Sequence, residues 1–379
     1  MQNLRFNKQE GITDLYPLLS SEDRAVQGAT YGILHRSLPS IQEQLSIEAA
    51  LSKTVAHLPE ELLSLLLDAP SMELFNNTLH STDSIWTNVR RYLLSWKVVF
   101  DHFARASHVV KEAYVLDIKE QGHLEQLLSF TCDMLRIASG KPVDALKYDI
   151  PTFNLDVESS LEKESQWLTV HLYYLSLLNL PSLTKSWWIE QKNRIKTPLE
   201  SWSQKHISPL IISTSLTTVS DWLTTQDATE DRALTLKINS RASEVIASIP
   251  IDPESSPISL CITLPPNYPF ANALVTSRAR VAVSEQKWQS WLRTIQGIIM
   301  FSNGSLIDGL LAFRRNVQGA LKGQSECAIC YSVIGTDMKT PNKKCATCKN
   351  TFHPACLWRW FKSSNSSSCP VCRNAFHYA

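Results

Sequence analysis

The chain has 379 residues, 44% of them hydrophobic and 19% charged, with a formal net charge of +1. That length suits two or three domains, and the composition excludes a disordered chain. The averaged charge argues neither for nor against a nucleic-acid partner.

Met1 to Leu19 is polar with scattered charges, so no secretion signal is visible. Ser20 or Ser21 can cap a helix through Ala25, Ala29, Ile33 and Leu34. Pro39 is expected to close it, with a second helix from Ile41 to Ala56. Asp83 or Ser84 opens a stronger helix, in which Ile85, Val89, Tyr92, Leu93, Trp96 and Phe100 form one apolar stripe. Leu124 to Ile137 is the next helix, and Lys141 to Ser160, with Pro142 and Pro151, reads as an irregular connection. Helices resume over Leu161 to Leu180 and Leu183 to Gln204. The best apolar run, Trp167 to Leu180, is interrupted by Thr169, His171, Ser176 and Asn179, too short and polar to cross a bilayer. Successive helices without strand alternation point to stacked hairpins of the HEAT kind over residues 1–205. No clean repeat is visible, so a compact helical domain is the other reading.

Composition shifts after Pro209. Ala233 to Ile238, Glu244 to Ile249, Ile258 to Leu264 and Leu274 to Val283 alternate as strands, with a rigid Pro265-Pro266-Asn267-Tyr268-Pro269 turn after the third. Helices over Ser284 to Phe301 and Ser305 to Leu321 complete an α+β domain, residues 206–321, whose antiparallel sheet is covered on one face.

Seven of the nine cysteines fall within Cys327–Cys372. In a chain without a secretion signal such cysteines read as metal ligands before disulfides. With His353 they form four pairs, each spaced by two residues: Cys327 and Cys330, Cys345 and Cys348, His353 and Cys356, Cys369 and Cys372. Eight such ligands fill two closed tetrahedral zinc sites, leaving no position for a reacting water. The spacing alone does not say which pairs share an ion. From Glu326 onward seven Lys and Arg face only Glu326 and Asp337, and this excess offsets the negative charge of zinc-bound thiolates. Cys132 and Cys261, each inside a predicted element, read as packed thiols.

This series resembles a RING domain of the C4HC3 order. The resemblance implies a cross-brace, with Cys327, Cys330, His353 and Cys356 on one zinc and Cys345, Cys348, Cys369 and Cys372 on the other. PHD fingers share the ligand order but place an aromatic two residues before the seventh ligand, where this chain has Ser367. Ile329, Trp360, Pro370 and Arg373 stand at the RING positions that dock a ubiquitin-charged conjugating enzyme (E2). There the first three form an apolar groove and the arginine bridges enzyme and ubiquitin. No residue attacks or takes a proton, so the expected activity is that of a RING-type ubiquitin ligase acting by positioning.

The stretch from Pro209 to Gly319 resembles an RWD domain, a relative of the ubiquitin-conjugating fold, through Leu264 to Phe270. It lacks the cysteine after a His-Pro-Asn sequence that an active conjugating enzyme needs. Helical hairpins, RWD and terminal RING in this order, with Cys327 to Ile334, Phe352 to Phe361, Ser363 to Pro370 and the Trp187-Trp188 pair, resemble the carboxyl-terminal region of the listerin family of ubiquitin ligases. The resemblance implies a cytosolic, ribosome-associated protein that modifies nascent chains on stalled 60S ribosomal subunits. It implies ribosome contact through the RWD region, and a helical arm, longer in family members, toward a quality-control cofactor. Arg278, Arg280, Arg314 and Arg315 are candidates for rRNA phosphate, against the reading that they are solvated surface charge. The alternatives are a RING ligase unrelated to ribosomes and a non-catalytic PHD-like reader or scaffold.

Overall fold

The computed structural model describes residues 10–376 apart from 53, 68, 72–81, 156–158, 226–233, 252–255, 282, 302, 324 and 338. Two compact units divide the chain, Met1–Leu210 and Ile211–Ala379.

The first unit is helical: α1 (Glu10–Thr13), α2 (Arg24–Ser52), α3 (Glu60–Ser64), α4 (Thr82–Phe103), α5 (His108–Glu120), α6 (His123–Met134), α7 (Leu161–Asn179), α8 (Pro181–Glu190) and α9 (Asn193–His206). Pro39 does not break α2, contrary to expectation, although an interior proline costs about 3 kcal/mol. Tyr31, Leu34, Leu38 and Gln42 make one buried stripe that runs past it. Beyond the proline, Gln42 is held by the His102 ring at 2.9 Å and the Tyr114 hydroxyl at 2.7 Å. The helix expected over 183–204 is instead two, parted at Gln191 and Lys192, whose backbones are extended. The Trp188 indole N–H spans this break to the Lys196 carbonyl at 3.1 Å, and the Lys196 ammonium sits 4.6 Å over the Trp188 ring.

The sequence stripe of α4 is buried throughout, from Ile85 at 8% exposure to Leu93 and Trp96 at 0%. Its opposite face is buried as well: Leu94, Val98, Val99, Arg90, Lys97 and Asp101. α4 lies between α2 and α7, and carries its charges inward with partners. Arg90 Nε donates to Glu164 Oε1 of α7 at 2.7 Å, and Arg24 Nη2 of α2 donates to Glu164 Oε2 at 2.6 Å. Burial at such a position is possible for ions only when they are paired in this way.

The second unit contains most of α10 (Ser208–Thr224), a helix not foreseen in the sequence, and a four-stranded antiparallel meander in the order β1-β2-β3-β4. The strands are β1 (Thr235–Asn239), β2 (Glu244–Ile249), β3 (Ile258–Thr263) and β4 (Leu274–Ala279). Ala233, the expected start of β1, lies outside the described residues. β4 ends before Val283; Arg280 there turns to pair with Glu285 at 2.9 Å and donates to the Val283 carbonyl at 2.6 Å. β3 is buried from Ile258 to Ile262, so Cys261 is a packed thiol at 2% exposure. The Tyr268–Pro269 peptide in the turn is cis, and Tyr268 and Phe270 are buried.

Two helices lie against the sheet, α11 (Glu285–Phe301) on β4 and α12 (Leu306–Leu321) on β2. Trp288 of α11 donates its indole N–H to Ser277 Oγ of β4 at 2.8 Å and packs edge-on to Trp291 and Phe313. Ser305 and Asp308 form a reciprocal capping box at the start of α12. The chain then enters a small module of two short strands, β5 (Lys343–Lys344) and β6 (Thr351–Phe352), and one helix, α13 (Pro354–Ser364).

Candidate metal centre

Three of the four ligand pairs are built by one repeated turn. In each, the N–H four residues after the first cysteine returns to that cysteine's carbonyl: Tyr331 to Cys327 at 2.7 Å, Lys349 to Cys345 at 3.0 Å, Arg373 to Cys369 at 3.0 Å. The first cysteine's N–H then bonds the carbonyl five residues on, in Ser332, Asn350 and Asn374. Closing the turn requires left-handed backbone at its last residue, and Tyr331, Lys349 and Arg373 have φ of 54°, 59° and 63°. The fourth pair is built differently. His353 is the N-cap of α13, Pro354 fills the first helical position, and Cys356 follows within the first turn.

These turns gather the eight side chains into two sets: Cys327, Cys330, His353 and Cys356, and Cys345, Cys348, Cys369 and Cys372. Within each set the ligand atoms lie within 4.8 Å of one another. Four thiolates held tetrahedrally at zinc–sulfur distance would stand roughly 3.8 Å apart. Cys345 and Cys372 are 3.8 Å apart, and Cys348 and Cys369 are 3.7 Å apart. In the mixed set His353 Nδ1 lies 3.3 Å from Cys330 Sγ and 3.9 Å from Cys356 Sγ. The sets are interleaved along the chain, first pair with third and second with fourth. Cys327, Cys345 and Cys369 are buried in one small core with Phe352, Leu357 and Phe376.

The electrostatics fit a cation. The Cys330 and Cys356 sulfurs pull the Cys327 thiol down, whereas Cys327 and Cys330, then burial, push Cys356 up. In the other set the Asn350 amide lowers Cys348 to about 6, and burial raises Cys369 to about 12. Neither set can ionise fully while its charge is unbalanced, and a divalent ion removes that conflict. Four ligands per set fit a structural ion with no open position. Gly335 makes room for the mixed set, since a Cβ there would stand 3.1 Å from His353 Cδ2. Its role was not visible in the sequence, because what needs the space is His353, 18 residues away.

Of the other residues singled out, Trp360, Pro370 and Arg373 meet around one turn. The Trp360 indole donates to the Ser368 carbonyl at 3.0 Å, just before Cys369 and Pro370, and Arg373 closes that turn. Ile329 sits in the first turn and packs half-buried against the shared core. Arg373 is exposed, and Trp360 and Pro370 are half-buried. Arg278 lies 3.9 Å from Glu244, so it and Arg280 are both paired at the surface. Arg314 is half-buried and Arg315 exposed.

A helical region, a sheet-and-helix domain and an interleaved pair of four-ligand clusters define a multidomain chain that contains a RING-type module. Residues 5–220 match the model of the LTN1 family HEAT repeat region, 234–319 that of ubiquitin conjugating domain-like proteins, and 325–373 that of the Ring finger domain. The chain belongs to the listerin family. The E3 ubiquitin-protein ligase listerin of Neurospora crassa is 42% identical over 98% of this chain and 24% of its own length. Those of Schizosaccharomyces pombe and Gallus gallus are 33% and 31% identical over 95% and 99% of this chain, and 22% of theirs. The chain therefore spans about a quarter of these curated relatives. Among the described residues no helix is long and apolar enough to cross a membrane.

Proposed function

We propose that this chain acts as the ligase end of a RING-type E3 ubiquitin ligase, with two zinc ions as scaffold. Cys327, Cys330, His353 and Cys356 would hold the first zinc, and Cys345, Cys348, Cys369 and Cys372 the second. The observation that carries this is the interleaving of the two closed clusters, with Trp360, Pro370 and Arg373 gathered on one turn. Zinc would supply folding free energy, of order ~10 kcal/mol per site, and no chemistry on ubiquitin.

The chain's own residues would act by orientation. Ile329, Trp360 and Pro370 offer apolar surface to a conjugating enzyme. The Arg373 guanidinium, exposed beside them, offers a fork of fixed donors to enzyme and ubiquitin together. Restricting the thioester to a near-attack arrangement lowers the barrier for the incoming lysine without a general base on this chain. The ubiquitin-conjugating-like domain would carry no ubiquitin thioester of its own, since its one cysteine, Cys261, is buried in β3.

Single-turnover discharge of a ubiquitin-loaded conjugating enzyme to free lysine tests the reading. The chain should accelerate discharge and Ile329→Ala should abolish the gain at equal zinc content. No acceleration with several conjugating enzymes would leave a scaffold function in its place.

Family membership supports the finer reading: the substrates are nascent chains on stalled 60S subunits, met in the cytosol, with ribosome contact through the ubiquitin-conjugating-like domain and a quality-control cofactor on the helical region. Co-sedimentation with purified 60S subunits at physiological salt is the measurement. A chain that discharges ubiquitin but stays in the supernatant would be a ligase for other substrates.

A further inference from the structure

The turn that carries Ile329 is fixed from outside its own module. Ser290 Oγ of α11 donates to the Cys330 carbonyl, and the Trp291 indole N–H donates to the Tyr331 carbonyl at 3.0 Å. Thr294 Oγ1 lies 3.4 Å from Ser332 Oγ. From α12, Asn316 Oδ1 accepts the N–H groups of both Val333 and Ile334, at 2.9 and 3.1 Å. Lys287 pairs with Glu326 at the entry to the turn. Trp291 and Asn316 are fully buried, and Ser290 and Thr294 are 8% exposed.

The placement of these bonds matters more than their number. Metal ligation would tether the Cys327 and Cys330 sulfurs, and the turn's own bonds hold the Tyr331 N–H and the Ser332 carbonyl. The Cys330 carbonyl is met inside the module by Ser332 Oγ at 3.3 Å, and the bond to the Tyr331 carbonyl comes from Trp291. Those two carbonyls directly follow Ile329, and Tyr331 has the left-handed φ of 54°, about 1–2 kcal/mol uphill for a side-chain-bearing residue. Left to itself, such a segment would populate its docking geometry for only part of the time. Apparent affinity falls in proportion to the competent fraction.

We propose that Ser290, Trp291 and Asn316 of the ubiquitin-conjugating-like domain are positioning residues for conjugating-enzyme docking, holding the Ile329 turn in its binding geometry through backbone hydrogen bonds. The proposal rests on the RING reading above. It assigns the neighbouring domain a part in the ligase reaction that needs no thioester of its own. Because the brace acts before docking, it governs how much enzyme is needed and not how fast the docked complex reacts.

The test uses the full chain and three variants. Asn316→Leu removes the shared acceptor at similar volume. Asn316→Asp keeps an acceptor oxygen and serves as the rescue. Ser290→Ala removes one hydroxyl with little packing change. Discharge is followed against conjugating-enzyme concentration, with zinc per chain and hydrogen exchange at Val333 and Ile334 measured in parallel. Asn316→Leu should exchange faster at these amides and raise the half-saturating concentration roughly three- to tenfold, with the saturating rate within about twofold. Asn316→Asp should return both toward the unmodified values. Faster exchange with unchanged half-saturation would overturn the proposal, as would a fall confined to the saturating rate. If Asn316→Leu loses zinc, Ser290→Ala is judged in its place: half-saturation should rise with the saturating rate kept, and an unchanged half-saturation or a fall confined to the saturating rate would overturn the proposal. An unmodified chain that accelerates no discharge overturns the RING reading, and this inference with it.

Discussion

The indole N–H of Trp360 donates to the carbonyl oxygen of Ser368 at 3.0 Å. This bond ties the middle of α13 to the residue before Cys369, so one side chain sets the distance between the helix and the Pro370 turn. Trp360→Phe keeps an apolar ring and loses the bond, which is worth about 1 kcal/mol. The half-saturating conjugating-enzyme concentration should then rise about fivefold with two zinc ions retained. Trp360→Ala should cost more. A Phe variant equal to the unmodified chain would show that the bond does not orient the ring.

Arg373 occupies a left-handed position that glycine fills at no steric cost. Arg373→Gly should keep the N–H bond to Cys369, hold two zinc ions, and leave the thermal midpoint unchanged or higher by the equivalent of about 1 kcal/mol. Discharge should nevertheless slow at least about tenfold, with half-saturation little altered, if the guanidinium acts after docking as proposed. Arg373→Lys should not restore the rate, lacking the planar fork. Loss of zinc in the Gly variant would reassign Arg373 to the fold.

Gly335 packs against the edge of His353 and against Asp337, whose Oδ1 would stand 2.7 Å from an added Cβ. Gly335→Ala should swing the Asp337 carboxylate aside and press on the His353 ring, 3.1 Å from the added Cβ. Metal analysis should show a fall from two ions per chain toward one, with the Cys345 set still loaded. Two tightly held ions in this variant would mean that the loop yields and the ring does not.

The helical unit should weaken on mild acidification. Burial lowers His102 and His171 to about 4, so each is neutral when folded and takes up a proton on unfolding between about pH 6.5 and 4. Their stabilising contribution is full above the unfolded value and is lost as pH falls through that window, by up to about 3 kcal/mol each. His102 cannot readily accept the proton in place. Tyr114 donates to the Gln42 oxygen, which turns the Gln42 amide N–H toward His102 Nδ1. Chemical denaturation from pH 7.5 to 4.5 should show the slope, and His102→Phe should reduce it.

Glu164 is the shared acceptor of Arg90 and Arg24, joining α2, α4 and α7. Glu164→Gln leaves Arg90, 3% exposed at its side chain, without a counter-charge. Urea unfolding of the helical unit should register a loss of about 3–5 kcal/mol. A loss below 1 kcal/mol would mean that water reaches Arg90 in the variant.

What was legible in the sequence was what repeats at short range. The x2 pairs marked eight candidate ligands because a cysteine turn is local, while their division into two sets was implied only by the family resemblance; strands β1 to β4 followed from alternation and a proline-rich corner. Helix ends depended on distant partners. Pro39 reads as a stop until Gln42 is seen held by His102 and Tyr114. The 191–192 break reads as continuous helix until Trp188 is seen reaching Lys196. α5 was legible and missed, since Ser107 caps it and Val110, Tyr114 and Ile118 mark its buried face. Ser290, Trp291 and Asn316 carried no local signal, because each satisfies a backbone group of a different module. α4 read as amphipathic because its inward charges look like surface charges until Glu164 is placed beside them.

The left-handed residue at the close of each cysteine turn separates two kinds of heredity in this module. Tyr331, Lys349 and Arg373 differ in size, polarity and charge, yet the turn demands of each only its backbone hand, and their side chains all reach solvent. Those three positions are sockets. Their contents can be exchanged, by selection or by design, without renegotiating the ligand clusters beneath. A chain emptied at Arg373 should thus persist as a folded competitor, still occupying conjugating enzyme while passing on no ubiquitin.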